Sequence, residues 1–178
     1  HELINGEILL MAGAGVNHVR IVRNVIRQLD TQLDESPCEI FNNDIRTKIK
    51  LKDSYTYPDL VAICGEPELE NGEFDTLLNP ILIVEVLSPA TEAYDRGEKF
   101  QYYRTISTLQ EYMMIAQDRL SVELYRRQGD GTWRLSEANT LDGRLTLASI
   151  DCSLTLADIY RRVSFETPPL STQSPASE

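Results

Sequence analysis

The run Ile81-Leu82-Ile83-Val84-Glu85-Val86-Leu87 limits what this chain can fold into more than any other feature. It is the most apolar stretch of the sequence, and it predicts a strand buried on both faces at the centre of a sheet. Glu85 interrupts it. Burying an unpaired carboxylate costs several kcal/mol, so the fold must bring it a cation, a hydrogen-bond network or a metal ion. Ionisable groups forced into apolar surroundings concentrate at functional sites.

The remaining elements follow from local pattern. Leu3-Ile4 and Ile8-Leu9-Leu10 flank Asn5-Gly6, the pair a tight hairpin turn demands. Past Gly13 and Gly15, the residues Val19, Val22, Ile26, Leu29 and Leu33 recur at helical spacing from Asn17 to Asp34, with Arg20, Arg23 and Arg27 elsewhere around that helix and Pro37 ending it. Cys38–Phe41, Ile45–Leu51 and Leu60–Cys64 read as short strands, and the acidic segment 65–79 as a surface loop. Ser88-Pro89-Ala90-Thr91 stops the central strand, and Thr91 is the expected N-cap of a helix over 92–106. On that helix Asp95, Lys99 and Tyr103 share one face. Tyr112–Ala116, Val122–Tyr125 and a stretch around Trp133–Leu135 predict three further strands, and Leu154–Arg162 a short helix. The order predicts an α/β fold of the α+β type, a mixed β-sheet flanked by helices rather than a repeated βαβ barrel. Residues 1–165 form one domain in this reading, and the Pro/Ser-rich residues 166–178 a flexible tail.

Composition narrows the function classes. With 178 residues and a net charge of -11, the chain has the size of a single domain and the wrong sign for a general nucleic-acid coat. A site built from carboxylates to hold Mg²⁺ adds to that negative charge, and local basic pairs, Arg126-Arg127 and Arg161-Arg162, can still steer phosphate. Cys38, Cys64 and Cys152 are widely spaced and odd in number, so the sequence predicts neither a zinc knuckle nor a disulfide framework. No apolar stretch nears the ~20 residues of a membrane span. The start of the sequence has no basic segment followed by an apolar one, as a signal peptide would. The expectation is a reduced, cytoplasmic protein with no membrane partner.

Asp59 follows Pro58 at the head of a strand, a position that suits a sheet edge or end because proline offers no N–H. If strands 59–64 and 81–87 are neighbours, Asp59 and Glu85 converge at one end of the sheet. Two carboxylates with open positions between them suit Mg²⁺ or Mn²⁺, which keep several waters. The plainer alternatives are a turn aspartate and a buried ion pair.

Three segments in order, Tyr57-Pro58-Asp59-Leu60-Val61, Ile83-Val84-Glu85-Val86-Leu87-Ser88-Pro89-Ala90-Thr91 and Asp95-Arg96-Gly97-Glu98-Lys99, resemble the Uma2 family (DUF820). That family belongs to the PD-(D/E)XK restriction-endonuclease-like superfamily and is common in cyanobacteria. The likeness extends to Glu2–Met11 with His18, to Asp44-Ile45-Arg46, to Leu109–Tyr112 and to Val122–Arg126, and covers residues 1–160. It implies a metal-dependent DNA endonuclease in which Asp59, Glu85 and the backbone carbonyl of Val86 hold Mg²⁺ or Mn²⁺. The superfamily places a lysine two residues after the glutamate; Leu87 stands there, and the resemblance moves the lysine role to Lys99 on the following helix. Glu7, His18, Asp44 and Asp95 are further candidates, with Arg46 as an alternative partner for Asp44 and Lys99 for Asp95. Where the family's next strand often ends in aspartate, this chain has Ala116. DNA is the expected substrate, and a homodimer the expected assembly, since twofold symmetry suits cutting both strands. Two other readings compete: a catalytically inactive fold serving as an interaction or nucleic-acid-sensing module, and a structural homodimer in which Glu85 is an ion-paired core residue.

Overall fold

The computed structural model describes residues 15–49, 54–70 and 75–165, together with the backbone of 2–4 and 7–9. The expected tail, 166–178, lies outside the described residues. At the centre is a six-stranded mixed sheet in the order β11-β10-β9-β8-β6-β3. Its strands are β3 (Cys38–Asn42), β6 (Leu60–Cys64), β8 (Leu82–Leu87), β9 (Glu111–Ala116), β10 (Val122–Arg127) and β11 (Trp133–Ala138). β8 is the strand predicted to be central, and every one of its residues is buried. It runs antiparallel to β6 and parallel to β9. All other pairings in this sheet are antiparallel.

Two cores flank the sheet, and the period-2 alternation of β8 divides its side chains between them. Leu82, Val84 and Val86 pack against Ile21, Val25 and Leu29 of α1 (Val16–Leu33). The helix is where the sequence predicts it, but its buried stripe is rotated to Ile21, Val25, Leu29 and Leu33, leaving Val19 exposed and Val22 and Ile26 half-buried. The same layer holds the hairpin β12 (Arg144–Leu147) and β13 (Cys152–Thr155) and the short helix α4 (Leu156–Ile159). The expected helix over 154–162 is therefore shorter: Leu154 and Thr155 pair with β12 before the chain turns.

Ile83 and Leu87 face the other core, beside Phe100, Tyr103, Leu109 and Tyr112. A five-stranded sheet, β2-β1-β5-β4-β7, covers part of this side. It joins the hairpin β1 (Glu2–Ile4) and β2 (Glu7–Leu9) to β5 (Ser54–Thr56), β4 (Arg46–Ile49) and β7 (Thr76–Leu77). The hairpin pairs as the sequence predicts, although its Asn5-Gly6 turn lies outside the described residues. The segment read as a surface loop contributes β7, parallel to β4, with Thr76 and Leu77 fully buried. Two residues are too short a run for periodicity to reveal.

The helix expected over 92–106 is compound. It consists of α2 (Glu92–Tyr94), a π-helical turn (Asp95–Lys99) and α3 (Phe100–Tyr103). Thr91 does not cap it through its side chain; Ser88 does that work, its Oγ accepting from Thr91 N (3.2 Å) and its carbonyl from Glu92 N (2.9 Å). Cys38 and Cys64 face each other across the β3–β6 register and form a disulfide, which corrects the reading of three unpaired thiols. Their separation of 26 residues hides in the sequence what the antiparallel register makes adjacent. Cys152 remains a free, buried thiol whose pKa burial pushes up. Among the described residues no helix is long and apolar enough to cross a membrane.

Candidate active site

The antiparallel register Leu60↔Val84 puts Asp59, one residue before β6, level with Glu85 near the C-terminal end of β8. The β6–β8 ladder ends there, so Val86 N–H has no backbone partner on that edge. Asp59 supplies one: its Oδ2 accepts from Val86 N at 2.7 Å. In a strand the N–H and C=O of one residue point to the same neighbour. The Val86 carbonyl is therefore turned toward the edge on which Asp59 sits. Pro58 suits this arrangement, because the chain at that point needs no donor. Asp59 Oδ1 accepts from His18 Nε2 at 2.8 Å, so the first turns of α1 reach across the sheet end to orient the carboxylate.

Glu85 is 4% exposed, and the compensation its burial demands comes from the compound helix. Lys99 Nζ lies 2.9 Å from Glu85 Oε1 and 3.5 Å from Asp95 Oδ1. Tyr103 donates its hydroxyl to the same Glu85 oxygen (2.8 Å), and that hydroxyl also lies 3.1 Å from Thr56 Oγ1 of β5. Asp95, Lys99 and Tyr103 thus share one face as predicted, across the π turn. Tyr112 packs edge-on against Tyr103. Its hydroxyl donates to the Asp95 carbonyl (3.2 Å), and burial first, then the Glu85 charge, holds its pKa well above the ordinary tyrosine value.

The candidate set divides cleanly. Asp59, Glu85, Val86, Lys99, Asp95 and His18 come together at one end of the central sheet. Asp44 sits in the exposed turn after β3, where its Oδ2 accepts from Asn42 Nδ2 (3.0 Å). It does not pair with Arg46, whose partner is Asp75 at 2.6 Å. Glu7 lies on β2, and its side chain is outside the described residues. The parts that sequence reasoning left unassigned are the support for the carboxylates: Tyr103 as a donor to Glu85, Thr56 behind it, and His18 as the partner of Asp59. The one available signal was Tyr103 four residues after Lys99.

Among the described residues no group of three or more His, Cys, Asp and Glu is placed to hold a metal ion. What is present is a pair of carboxylates and a strand carbonyl, all hard oxygen donors. That set suits a cation that takes few protein ligands and retains water, as Mg²⁺ does, and not a tetrahedral nitrogen–sulfur site.

Comparison with known proteins agrees with this architecture. Residues 1–157 match the family model Uma2, described as "putative restriction endonuclease". The uncharacterized protein sll1609 of Synechocystis is 42% identical over 136 residues, covering 76% of this chain and 77% of that protein. The uncharacterized protein slr1290 of the same organism is 37% identical over 165 residues, 93% and 85% of the two chains. A crystal structure described as a putative nuclease belonging to DUF820, from Anabaena variabilis, superposes with a TM-score of 0.73 at 20% identity, covering 89% of this chain and 88% of that one. At that identity the likeness establishes the fold. The family model, spanning most of the sequence, and the two relatives establish the rest: the chain belongs to the Uma2 family.

Proposed function

We infer that this protein is a metal-dependent endonuclease that hydrolyses phosphodiester bonds in DNA. The observation that carries the reading is the opposition of Asp59 and Glu85 at the end of the β6–β8 ladder, with a buried lysine on Glu85. Asp59 and Glu85, with the Val86 carbonyl on the same edge, would hold Mg²⁺ or Mn²⁺. When bound, such an ion supplies positive charge to a phosphate oxygen and makes water a better nucleophile at neutral pH.

The chain's own groups do the rest. Lys99 is the cation paired with Glu85, and its ammonium offsets negative charge that grows on the phosphate as water attacks. Tyr103 fixes the Glu85 carboxylate, so that the lysine and the carboxylate keep their separation. His18 does the same for Asp59 from the opposite side of the sheet. Asp95 gives Lys99 a second carboxylate and holds the amine in place on the helix.

The test is a calorimetric titration of Mn²⁺ and Mg²⁺ into wild type, Asp59→Asn and Glu85→Gln, beside a plasmid-nicking assay with each metal. The expected result is binding in the wild type, loss of binding in both variants, and nicking that falls by about 10²–10⁴-fold in each. A folded wild type that binds neither metal would overturn the reading. Glu85 would then be an ion-paired core residue, the second reading, which its pairing with Lys99 also supports.

A further inference from the structure

We propose that the outer face of α1 is a docking surface for the phosphodiester backbone of a DNA duplex. The inference rests on the nuclease reading and names the surface by which such an enzyme would hold its substrate. Arg20, Arg23 and Arg27 recur at i, i+3 and i+7 on the helix side turned from the core, the opposite side from Ile21, Val25 and Leu29. The segment 158–164 runs along the flank of the same helix. Asp158 meets Arg27 (3.8 Å), Asn24 Nδ2 donates to the carbonyls of Ile159 and Arg161 (2.9 and 2.8 Å), and Asn17 Nδ2 donates to that of Ser164 (2.8 Å). Arg161 and Arg162, distant in sequence, are thereby set next to the helical stripe, and both are exposed. Arg144 joins them across a shallow hollow that it lines together with Arg27.

Six arginines thus share one face of a chain whose net charge is -11. Asp30 and Asp34 lie on the same side of the helix and Asp158 meets Arg27, so the six arginines outnumber these three acids. No ion-pair partner faces Arg20, Arg23, Arg161 or Arg162 among the described residues, although the chain has acids in excess. Arg162 also holds φ at 64°, the left-handed region that glycine or asparagine would occupy at lower cost. Arginine is the side chain best matched to phosphate, by charge and by its planar fork. Arg20 and Arg27 stand about 10 Å apart along the helix axis, the rise of about three nucleotides in one strand. The stripe lies on the side of α1 opposite His18, which faces the sheet and touches Asp59, so a duplex held there lies a helix diameter, about 10 Å, from that carboxylate.

Binding can be read apart from cleavage. A fluorescein-labelled duplex of about 20 base pairs is titrated with protein in EDTA, by fluorescence anisotropy, between about 50 and 200 mM KCl. The proteins are wild type, the triple variant Arg20→Gln/Arg23→Gln/Arg162→Gln, and the single variants Arg162→Gln and Arg134→Gln. Arg134 is an exposed arginine on β11, the edge of the central sheet opposite β3, and its replacement removes one positive charge, as Arg162→Gln does. Arg23, Arg134 and Arg162 are exposed and Arg20 is half-buried, and a thermal melt checks that the fold is kept. The triple variant is expected to bind at least tenfold more weakly at low salt, with the slope of log K against log salt shallower by about 0.9 for each phosphate no longer neutralised. Arg134→Gln should leave the slope unchanged. An unchanged slope in the triple variant, a loss in Arg134→Gln equal to that in Arg162→Gln, or no duplex binding by the wild type overturns the proposal. So does a shift from dimer to monomer in the triple variant with DNA binding intact, which would assign the face to a second copy of the chain. Nicking with Mg²⁺, measured separately, tells the two readings apart. Face-dependent binding without nicking removes the nuclease and keeps the surface, whereas nicking indifferent to the triple variant does the reverse.

Discussion

Two glutamates are buried in neighbouring parallel strands of the central sheet, Glu85 in β8 and Glu111 in β9, and the fold answers their burial in different ways. Glu111 is fully buried at the start of its strand. It is ringed by donors, most of them held in place by the fold itself. Arg126 Nε (2.7 Å) and Ala148 N (3.2 Å) donate to Oε1, and Ser149 N (3.0 Å) and Ser149 Oγ (2.5 Å) to Oε2. Both oxygens are spent on tying β9 to β10 and to the turn between β12 and β13. Glu85 lies at the opposite, C-terminal end of its strand. Its ties run to an ammonium and a phenol on one compound helix, with a second carboxylate level with it across the ladder. One is a staple; the other is half of a pair of like charges that a cation can join. In open sheets with parallel strands the carboxyl ends are where ligands bind, and only Glu85 is at such an end.

The largest effect should come from exchanging the roles in the readout. Glu111→Ala strands two backbone N–H groups and removes the ionic partner of Arg126, at an expected cost of about 3 kcal/mol. Urea unfolding measures this, and the nicking rate per folded molecule should not change. Glu85→Gln should do the opposite, removing activity at a smaller cost in stability, because Lys99 keeps Asp95 as a partner. If Glu111→Ala abolishes nicking in protein that is still folded, the division between staple and site is wrong.

A smaller effect sharpens the account of how Glu85 is held. Tyr103→Phe deletes one hydrogen bond to an ionised, buried oxygen while keeping the ring packed on Tyr112. The expected loss is about 1.5–3 kcal/mol in urea unfolding. If Tyr103 acts by positioning Glu85, the variant should also need more Mn²⁺ for half-maximal nicking. A stability loss with unchanged metal dependence would make Tyr103 a core residue only.

Much of this was legible before the structure. The apolar run around Glu85 has no helical or alternating period, which left the centre of a sheet as its place, and Pro58-Asp59 marked a strand start. What the sequence could not show was Glu111. It heads an apolar strand just as Glu85 interrupts one, but its partners at 126, 148 and 149 are set by the β9–β10 register and by a hairpin whose strands are four residues each. The Cys38–Cys64 pairing was hidden for the same reason, being a product of register. Arg46 chose Asp75 over the nearby Asp44 because β4 pairs with β7, a strand of two residues that no local pattern announces. Helical spacing, in contrast, survived a π turn, since Asp95, Lys99 and Tyr103 still meet on one face.

The smallest effect concerns the anchor of the helix that carries Lys99. Glu92 accepts from Arg119 Nη2 (2.5 Å) and Arg96 Nε (2.8 Å), and Arg96 continues to Glu123 on β10. These guanidiniums, Arg119 foremost, hold the Glu92 carboxyl below its ordinary value. A carboxylate whose pKa is lower folded than unfolded stabilises the fold at pH values above its unfolded pKa, and that contribution is lost as pH falls through the folded value. Glu92→Gln should therefore cost about 0.5–1 kcal/mol at neutral pH and nothing once the medium is acid enough to protonate the wild-type residue. Urea midpoints across the acid range give the comparison: the two curves should converge as pH drops below 4.5, the ordinary value for the group, and raised salt should narrow the gap at neutral pH. A gap that persists at low pH would mean that Glu92 acts through packing. The anchor at Glu92 would then be neutral in character, leaving Arg96 on Glu123 and Lys99 on Glu85 as ionic ties of the helix to the sheet.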